Sequence, residues 1–353
     1  MKHNNYPALV LIALFCCNLL PYSHGQDPHF SQYFASPWNL NPAMTGVFSG
    51  RWRVTANYRD QWSSFLSPVP FRTYAANTDI RIGVSRNDYI AVGLGILHDE
   101  AGTARYLQNK ALLSGAFLKQ LSGGPRQADH FLCAGAQLGF GQNSIDWSRL
   151  WFSRQFDPVA ESPDPNAGNG EPNANASTNI YPDFNAGLLW YALWGGNGVW
   201  YAGAAFHHIN QPLIALAENG GERLYSRWSG HTGGQLPLNE NFSVLPGVQF
   251  LRQGPALEAN CGLNIRYSNN DRNEPALRLG AWGRLGNRLG KGIQMDAVAV
   301  VAMLELERWM LGISYDITVS SLTRANNSRG AFEISLTYFH PEERKARVTC
   351  PRF

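Results

Sequence analysis

The sequence alternates apolar and polar residues one for one in many places. In the segment 330–339, GAFEISLTYF, polar residues such as Glu333 separate Phe332, Ile334 and Leu336. Because successive side chains of a β-strand point to opposite faces, this pattern predicts a strand with one apolar and one polar face. Fourteen such segments follow residue 26, most of them 9 to 13 residues long: 51–59, 71–82, 88–98, 105–120, 130–142, 183–193, 198–208, 223–234, 241–252, 256–268, 276–285, 292–304, 307–319 and 330–339.

The lengths of these segments and of their connections favour a membrane barrel, since a tilted membrane strand needs about 9–11 residues. If the first strand starts on the periplasmic side, the periplasmic connections are short, such as GVSRN and WGGN, and the longest external connection is 143–182. Short periplasmic turns and long external loops are typical of outer-membrane barrels. The short external connection at 253–255 is the exception. We therefore predict an all-β fold, a transmembrane antiparallel up-and-down β-barrel of about 14 strands over 51–339, with both termini periplasmic.

Composition agrees with this fold, because 35 glycines and 12% aromatic residues accompany only 16% charged residues. The net charge of +3 does not indicate a nucleic-acid partner. The alternative fold is a soluble sandwich in which apolar sheet faces meet. Against it, Arg51, Arg53 and Arg59 share a strand face with Thr55 and Asn57, as expected of a polar barrel lumen. The mean hydropathy of -0.26 does not oppose a barrel, because barrel strands give only a weak hydropathy signal.

The first 25 residues have the features of a signal peptide. A mostly apolar run from Ala8 to Leu20 is followed by Ser23-His24-Gly25, so that cleavage leaves Gln26 first. This run is shorter than the roughly 20 residues that span a bilayer as a helix, which disfavours the alternative of an anchor helix.

The segment after the signal peptide, QDPHFSQYFASPWNLNPAMTG, shows no strand alternation but contains four aromatic residues. Pro28, Pro37 and Pro42 oppose regular structure, and an aromatic segment left free in solvent would be unfavourable. We predict that this leader, residues 26–50, packs at or inside the barrel mouth; a disordered leader is the alternative. The polar segment 340–353 is predicted to be a periplasmic tail.

No pattern in the sequence indicates catalysis or metal binding. His207 and His208 are adjacent, so on a strand they would point to opposite faces and could not share a metal. After signal cleavage Cys133, Cys261 and Cys350 remain, an odd number with spacing unsuited to zinc. Serine–histidine–aspartate patterns and glycine-rich phosphate loops are absent. We predict no enzymatic activity and no cofactor.

Segments of the mature chain occur in an order that matches a known family: QDPHFSQYFASPWNLNPAMTG, ANYRDQW, FRTYAANTDI, YPDFNAGLLWY, WYAGAAFHHINQP, LPGVQFLRQGPALEANCGLNIRY, DAVAVVAMLE, SYDITVSSL, GAFEISLTYF and CPRF. With these segments the chain resembles the PorP/SprF outer-membrane proteins of the type IX secretion and gliding apparatus. The resemblance covers essentially the whole mature chain, except that 157–178 carries no family signature.

The resemblance implies a non-enzymatic barrel in the cell outer membrane that supports export or surface attachment of large adhesin-type cargo carrying C-terminal signal domains. Implied partners are those domains, periplasmic ring or peptidoglycan-associated lipoproteins of the secretion machine, and outer-membrane lipid. The alternative from another class is a passive outer-membrane transporter or porin for small solutes, which an aromatic leader packed in the lumen would disfavour.

By analogy with the family, a role in partner binding or in plugging the barrel falls on eleven residues, for which a purely structural role is the alternative. They are Gln26, Asp27, Phe30, Gln32, Tyr33, Asn41, Pro42, Tyr58, Arg59, Gln61 and Trp62.

Overall fold

The computed structural model describes most of the chain between residues 27 and 341. The predicted signal peptide, Gln26 and residues 342–353 of the predicted tail lie outside the described residues, as does the side chain of Phe65. The undescribed internal positions are 67–68, 70, 86, 125–126, 159, 165, 169, 171–176, 196, 217–219, 270–274 and 288–291.

Over the described residues, fourteen strands form one closed antiparallel barrel, which confirms the predicted fold class. The barrel strands are β1 (Trp52–Gln61), β2 (Phe71–Gly83), β3 (Tyr89–Ala101), β4 (Tyr106–Gly124), β5 (Gln127–Ser144), β8 (Tyr181–Trp194), β9 (Gly198–His207), β10 (Arg227–Pro237), β11 (Phe242–Gln253), β12 (Ala256–Ser268), β13 (Ala276–Asn287), β14 (Ile293–Glu305), β15 (Trp309–Thr318) and β16 (Arg329–His340). Two short strands, β6 (Phe156–Asp157) and β7 (Ser162–Pro163), pair with each other inside the long connection between β5 and β8.

Short helical segments occur in the leader and in the connections. The α-helical segments are Pro37–Leu40, Ser63–Leu66 and Thr323–Asn326, and the 3-10 segments are Tyr33–Ala35, Pro42–Met44, Trp147–Arg149 and Ser153–Gln155. Among the residues described, no helix is long and apolar enough to cross a membrane.

Each predicted strand segment overlaps a strand of the barrel. The largest difference lies between β4 and β5, where the polar segment LSGGPRQAD was expected to connect the predicted strand segments 105–120 and 130–142. Instead the two strands continue to pair as far as Gly124 and Gln127, with register shifts after Gln120. The pairing of backbone groups does not require an apolar face, so these two strands extend beyond the alternating pattern.

The first and last strands close the barrel through ten residue pairs. Ala56 pairs with Leu336 and Tyr58 with Ile334, so the apolar face of GAFEISLTYF continues that of β1 around the outside. Within the described strands, this closure leaves the barrel sheet without an open edge, as a barrel in lipid requires, because unpaired backbone groups in lipid cost several kcal/mol each.

The two faces of β1 have the predicted orientation with one exception. Arg53, Thr55 and Arg59 are buried on the lumen side, whereas Val54 is exposed on the outside. Arg51, which was expected to face the lumen, is exposed, because the strand begins only at Trp52.

Candidate functional site

The leader fills the barrel lumen and runs along its length. At the end that carries the long connections, the N–H of Asp27 donates to Oε1 of Gln253, the last residue of β11, at 2.9 Å. At the end with the short turns, the N–H of Arg51 donates to the carbonyl of His340 at 2.9 Å. The prediction of two periplasmic termini is therefore wrong for the start of the leader: Asp27 lies at the external end and the chain then descends to β1.

A buried charged cluster holds the beginning of the leader, and we call it the Asp27 cluster. The Asp27 carboxylate accepts from Nζ of Lys110 at 2.8 Å, from Arg227 at 3.2 Å and from Nε2 of His208. Nδ1 of His208 lies 2.8 Å from the carboxylate of Asp183. Burial alone would raise the pKa of Asp27, but the charges of His208, Lys110 and Arg227 hold it well below its usual range. Asp27 is therefore ionised and paired at neutral pH.

A second polar cluster, which we call the Glu333 network, binds the leader backbone. The N–H groups of Ser31 and Gln32 donate to the two oxygens of the Glu333 carboxylate, at 2.7 and 2.9 Å. Arg59 contacts the same carboxylate and also donates to Asp316 at 3.1 Å. One wall carboxylate therefore accepts hydrogen bonds from two consecutive leader residues while it pairs with a buried guanidinium.

Further hydrogen bonds extend this network across the lumen. Nε2 of Gln32 donates to Oγ of Ser314 at 3.0 Å, and its Oε1 accepts from Oγ of Ser335 at 2.9 Å. Arg284 donates to Asp316 at 3.0 Å and to Oγ of the leader residue Ser31 at 3.1 Å. The leader side chains thus take part in the same network as the arginines of two different strands.

The next part of the leader packs mainly through apolar and aromatic contacts. Tyr33 and Phe34 lie against Trp282, with ring centroids 5.4 and 5.5 Å apart. Further down, Phe48 packs on Phe339 at 6.3 Å. These side chains are buried and belong to one apolar cluster that includes leader and wall residues.

Inward-facing glycines of the wall make room for the leader. A Cβ at Gly95 would come within 2.8 Å of the Trp38 ring, and one at Gly135 would come within 2.5 Å of the leader backbone at Pro42. Such distances are too short for a real Cβ atom. The same holds at five other inward glycines that meet Trp38, Asn41, Tyr33 or Gln32: Gly93, Gly187, Gly203, Gly247 and Gly312.

Asn41 joins the leader to the backbone of two adjacent strands. Its Nδ2 donates to the carbonyl of Leu188 at 2.9 Å and to that of Ala204 at 3.3 Å. Its Oδ1 accepts from the N–H of Ala43 at 2.9 Å, which fixes the start of the following helical turn. Asn41 therefore links the leader to the wall by hydrogen bonds.

The structure brings together most, but not all, of the predicted site residues. Asp27, Phe30, Gln32, Tyr33, Asn41, Pro42 and Arg59 are buried in the lumen. Gln61 lies at the end of β1, where its Oε1 accepts from Arg59 at 3.2 Å.

Two residues of the predicted set lie away from the lumen. Tyr58 is on the outer face, where it packs against Tyr74 at 5.0 Å. Trp62 lies beyond the strand in a left-handed conformation and contacts Phe71. Gln26 lies outside the described residues.

The expectation that His207 and His208 point to opposite faces is wrong. Both are buried: His207 contacts the carbonyl of Leu40 at 3.4 Å, and His208 contacts Asp27. Strand β9 ends at His207, and His208 takes a positive φ of 55°, so the alternation stops between them. In the described part of the chain, no group of three or more histidine, cysteine, aspartate or glutamate residues is arranged to hold a metal.

A closed β-barrel with an apolar outer face and a polar lumen occupied by its own leader defines an outer-membrane protein of the barrel class. The family model for "Type IX secretion system membrane protein PorP/SprF" matches residues 22–338. The chain belongs to this family and is located in the outer membrane.

Solved structures with a similar fold have low sequence identity to this chain. The toluene transporter TodX of P. putida is 10% identical, with 86% of this chain and 93% of that chain covered and a TM-score of 0.46. The monoaromatic hydrocarbon channel CymD is 11% identical, with 91% and 96% covered and a TM-score of 0.47. The porin KdgM, solved with disordered oligogalacturonate, is 7% identical, with 82% and 99% covered and a TM-score of 0.36. No curated protein sequence matches the chain.

Proposed function

We propose that this protein is a non-enzymatic component of type IX secretion that supports export or surface attachment of large adhesin-type cargo through the cargo's C-terminal signal domains. Family membership supports the secretion role. The observation that carries the finer proposal is the leader, which occupies the lumen from Asp27 at the external end to the start of β1. A barrel filled in this way suits a docking or anchoring component better than a conduit.

The leader contacts also bear on how cargo would meet the barrel. A polypeptide passing through the lumen would have to displace the Asp27 cluster and the Glu333 network together with the apolar part of the leader. Removing one partner of a buried ion pair costs about 3–5 kcal/mol. We therefore assign cargo contact to the external end, and contact with periplasmic lipoproteins of the secretion machine to the short-turn end.

Within this proposal, the leader residues of the predicted site act as a plug. Asp27, Gln32 and Asn41 make the polar contacts of this plug. Tyr33 makes an aromatic packing contact, and Arg59 of the barrel wall donates a hydrogen bond to the leader. Because these side chains are buried, a partner could reach them only after the leader moves. The alternative of a passive porin requires an open lumen, which the packed leader disfavours.

The test is deletion of the gene, complemented with the full-length protein. A fluorescent reporter carrying a C-terminal signal domain measures cargo at the cell surface, and uptake of small solutes is followed in the same strains. We expect surface reporter to be lost on deletion and restored by complementation, with solute uptake unchanged. Loss of solute uptake with normal surface reporter would instead establish the porin alternative. Pull-down after mild cross-linking then identifies the cargo domain and the periplasmic partners.

A further inference from the structure

The outer wall of the barrel contains a concave groove on the side formed by β1 to β5. The groove has a volume of about 630 Å³ and lies in the half of the barrel nearer the long connections. Its floor is formed by the small outward residues Ala56, Ala76 and Ala111. In the same cross-strand row, Ile96, which is 65% exposed, stands between Ala76 and Ala111, and Phe140, which is 52% exposed, stands beyond Ala111. The groove therefore has one shallow part over Ala56 and Ala76 and another over Ala111, on the two sides of Ile96.

A polar row lies directly above the floor. Tyr58, Tyr74, His98, Asn109 and Gln142 are cross-strand neighbours along it. The first two rings are 5.0 Å apart, and Nδ1 of the histidine lies 2.7 Å from Oδ1 of the asparagine. Amphipathic aromatic and polar side chains on the outside of a barrel mark the level where hydrocarbon gives way to lipid headgroups. The groove therefore opens into the hydrocarbon of the outer leaflet, just below the headgroups.

Charged residues lie above the polar row. Arg72 pairs through Nε with Asp60 at 3.4 Å, and Arg105 pairs through Nε with Glu100 at 2.8 Å. The two arginine side chains are 43% and 50% exposed. Each guanidinium carries five N–H donors, more than one carboxylate can accept, so both arginines can also donate to an anionic group, for which phosphate is well matched.

We propose that this groove is a binding site for one molecule of lipopolysaccharide, the phosphorylated glycolipid of outer leaflets. Its acyl chains lie over Ala56 and Ala76 on one side of Ile96 and over Ala111 on the other, and a phosphate is held by Arg72 and Arg105. Three observations select this occupant: the groove faces hydrocarbon, it lies in the outer half of the bilayer, and exposed arginines stand above it. Its volume is within the range of about 300–1,000 Å³ that is usual for small-molecule sites.

The test is mass spectrometry of lipids that copurify with the full-length protein from outer membranes in mild detergent. In the double variant Ala56→Phe/Ala111→Phe, the added rings fill the floor, and we expect retained lipid A per protein to fall about tenfold. Ala136→Phe is the matched control, since Ala136 is an exposed outward residue of β5 outside the groove, and it should retain lipid A as the wild type does.

A second variant separates headgroup binding from packing. Arg72→Gln/Arg105→Gln leaves the floor intact and should lower lipid A retention without changing the heat-modifiable migration that reports a folded barrel. Unchanged lipid A in folded variants of both kinds would overturn the proposal. So would selective loss of phospholipid with lipid A unaffected, since the groove would then hold a different lipid.

Discussion

Residues 27–32 of the leader meet the barrel wall through buried charges, whereas residues 33–48 meet it mainly through aromatic and aliphatic packing. In the first region, Asp27 pairs with Lys110 and Arg227, and Glu333 accepts two leader N–H groups. In the second region, leader side chains pack on wall rings and over inward glycines. Hydrogen bonds such as those of Asn41 occur there too, but they accompany the packing.

The two kinds of contact differ in what can replace them. A buried ion pair contributes little net stability, because desolvation offsets the attraction between the charges. Removing one partner is nevertheless strongly destabilising, because it leaves the other charge buried without a partner. Apolar burial stabilises by about 25 cal/mol for each Å² removed from water, and water cannot substitute for it. We therefore expect residues 27–32 to set the position of the leader and residues 33–48 to supply most of its binding free energy. Displacement of the leader should begin at the external end.

Deletion of residues 26–43 removes the first region and most of the second and should have the largest effect. The lumen then loses most of the leader side chains that fill it, so we expect single-channel conductance in planar bilayers to rise from near zero to a clearly open level. The full-length barrel under the same conditions is the control. A deleted barrel that folds yet remains closed would mean that the wall, and not the leader, seals the lumen.

Glu333→Ala tests the polar region by leaving Arg59 and two leader N–H groups without their shared acceptor. We expect the free energy of unfolding in urea to fall by about 4 kcal/mol, as for other broken buried ion pairs. Glu240→Ala, at an exposed turn residue, is the matched control and should change it by less than about 0.5 kcal/mol. A loss of similar size in both variants would argue against a buried network.

Trp38→Ala tests the packed region. The indole is buried over Gly93 and Gly95, and its removal leaves a cavity that should cost about 3 kcal/mol. Its Nε1–H has no hydrogen-bond partner among the described residues, so no polar contact is lost with it. Trp38→Phe keeps much of the packing and should cost markedly less. If instead the phenylalanine variant is as unstable as the alanine variant, packing is not what the indole contributes.

The strands and their faces could be predicted from the sequence because lipid and lumen impose opposite polarity on alternate residues. This rule alone assigns Val54 to the lipid face and Thr55 to the lumen face, and the same rule identifies β16 as the closing strand. The prolines and aromatic residues of the leader also indicated a packed segment. These signals are local, and a single strand or a short segment is enough to carry them.

The path of the leader could not be predicted, because its contacts join residues far apart in the chain. Ser31 and Glu333, for example, are 302 positions apart. One signal was available, however: Lys110 and Glu333 are charged residues at inward positions of predicted strands, and a buried charge needs a partner. The same argument could not place His208 in the lumen, because its left-handed backbone conformation ends the strand alternation on which the argument depends.

Asp27→Asn gives the smallest effect and tests whether the polar region depends on charge. The amide keeps the shape of the side chain but leaves Lys110 and Arg227 without an anion, so we expect a loss of about 2 kcal/mol at pH 7. Because the pKa of Asp27 is lower in the folded protein than the roughly 3.9 of an unfolded aspartate, its contribution is fully present well above that value. It is lost as the pH falls through the folded pKa.

The difference in unfolding free energy between wild type and Asp27→Asn should therefore be constant from pH 7 down to about pH 5 and shrink only at lower pH. Protease cleavage near the start of the leader should follow the same pattern, because release of the Asp27 cluster exposes that end first. A difference that already disappears between pH 7 and pH 6 would argue against a contribution from the ionised Asp27 carboxylate paired with its lysine and arginine partners.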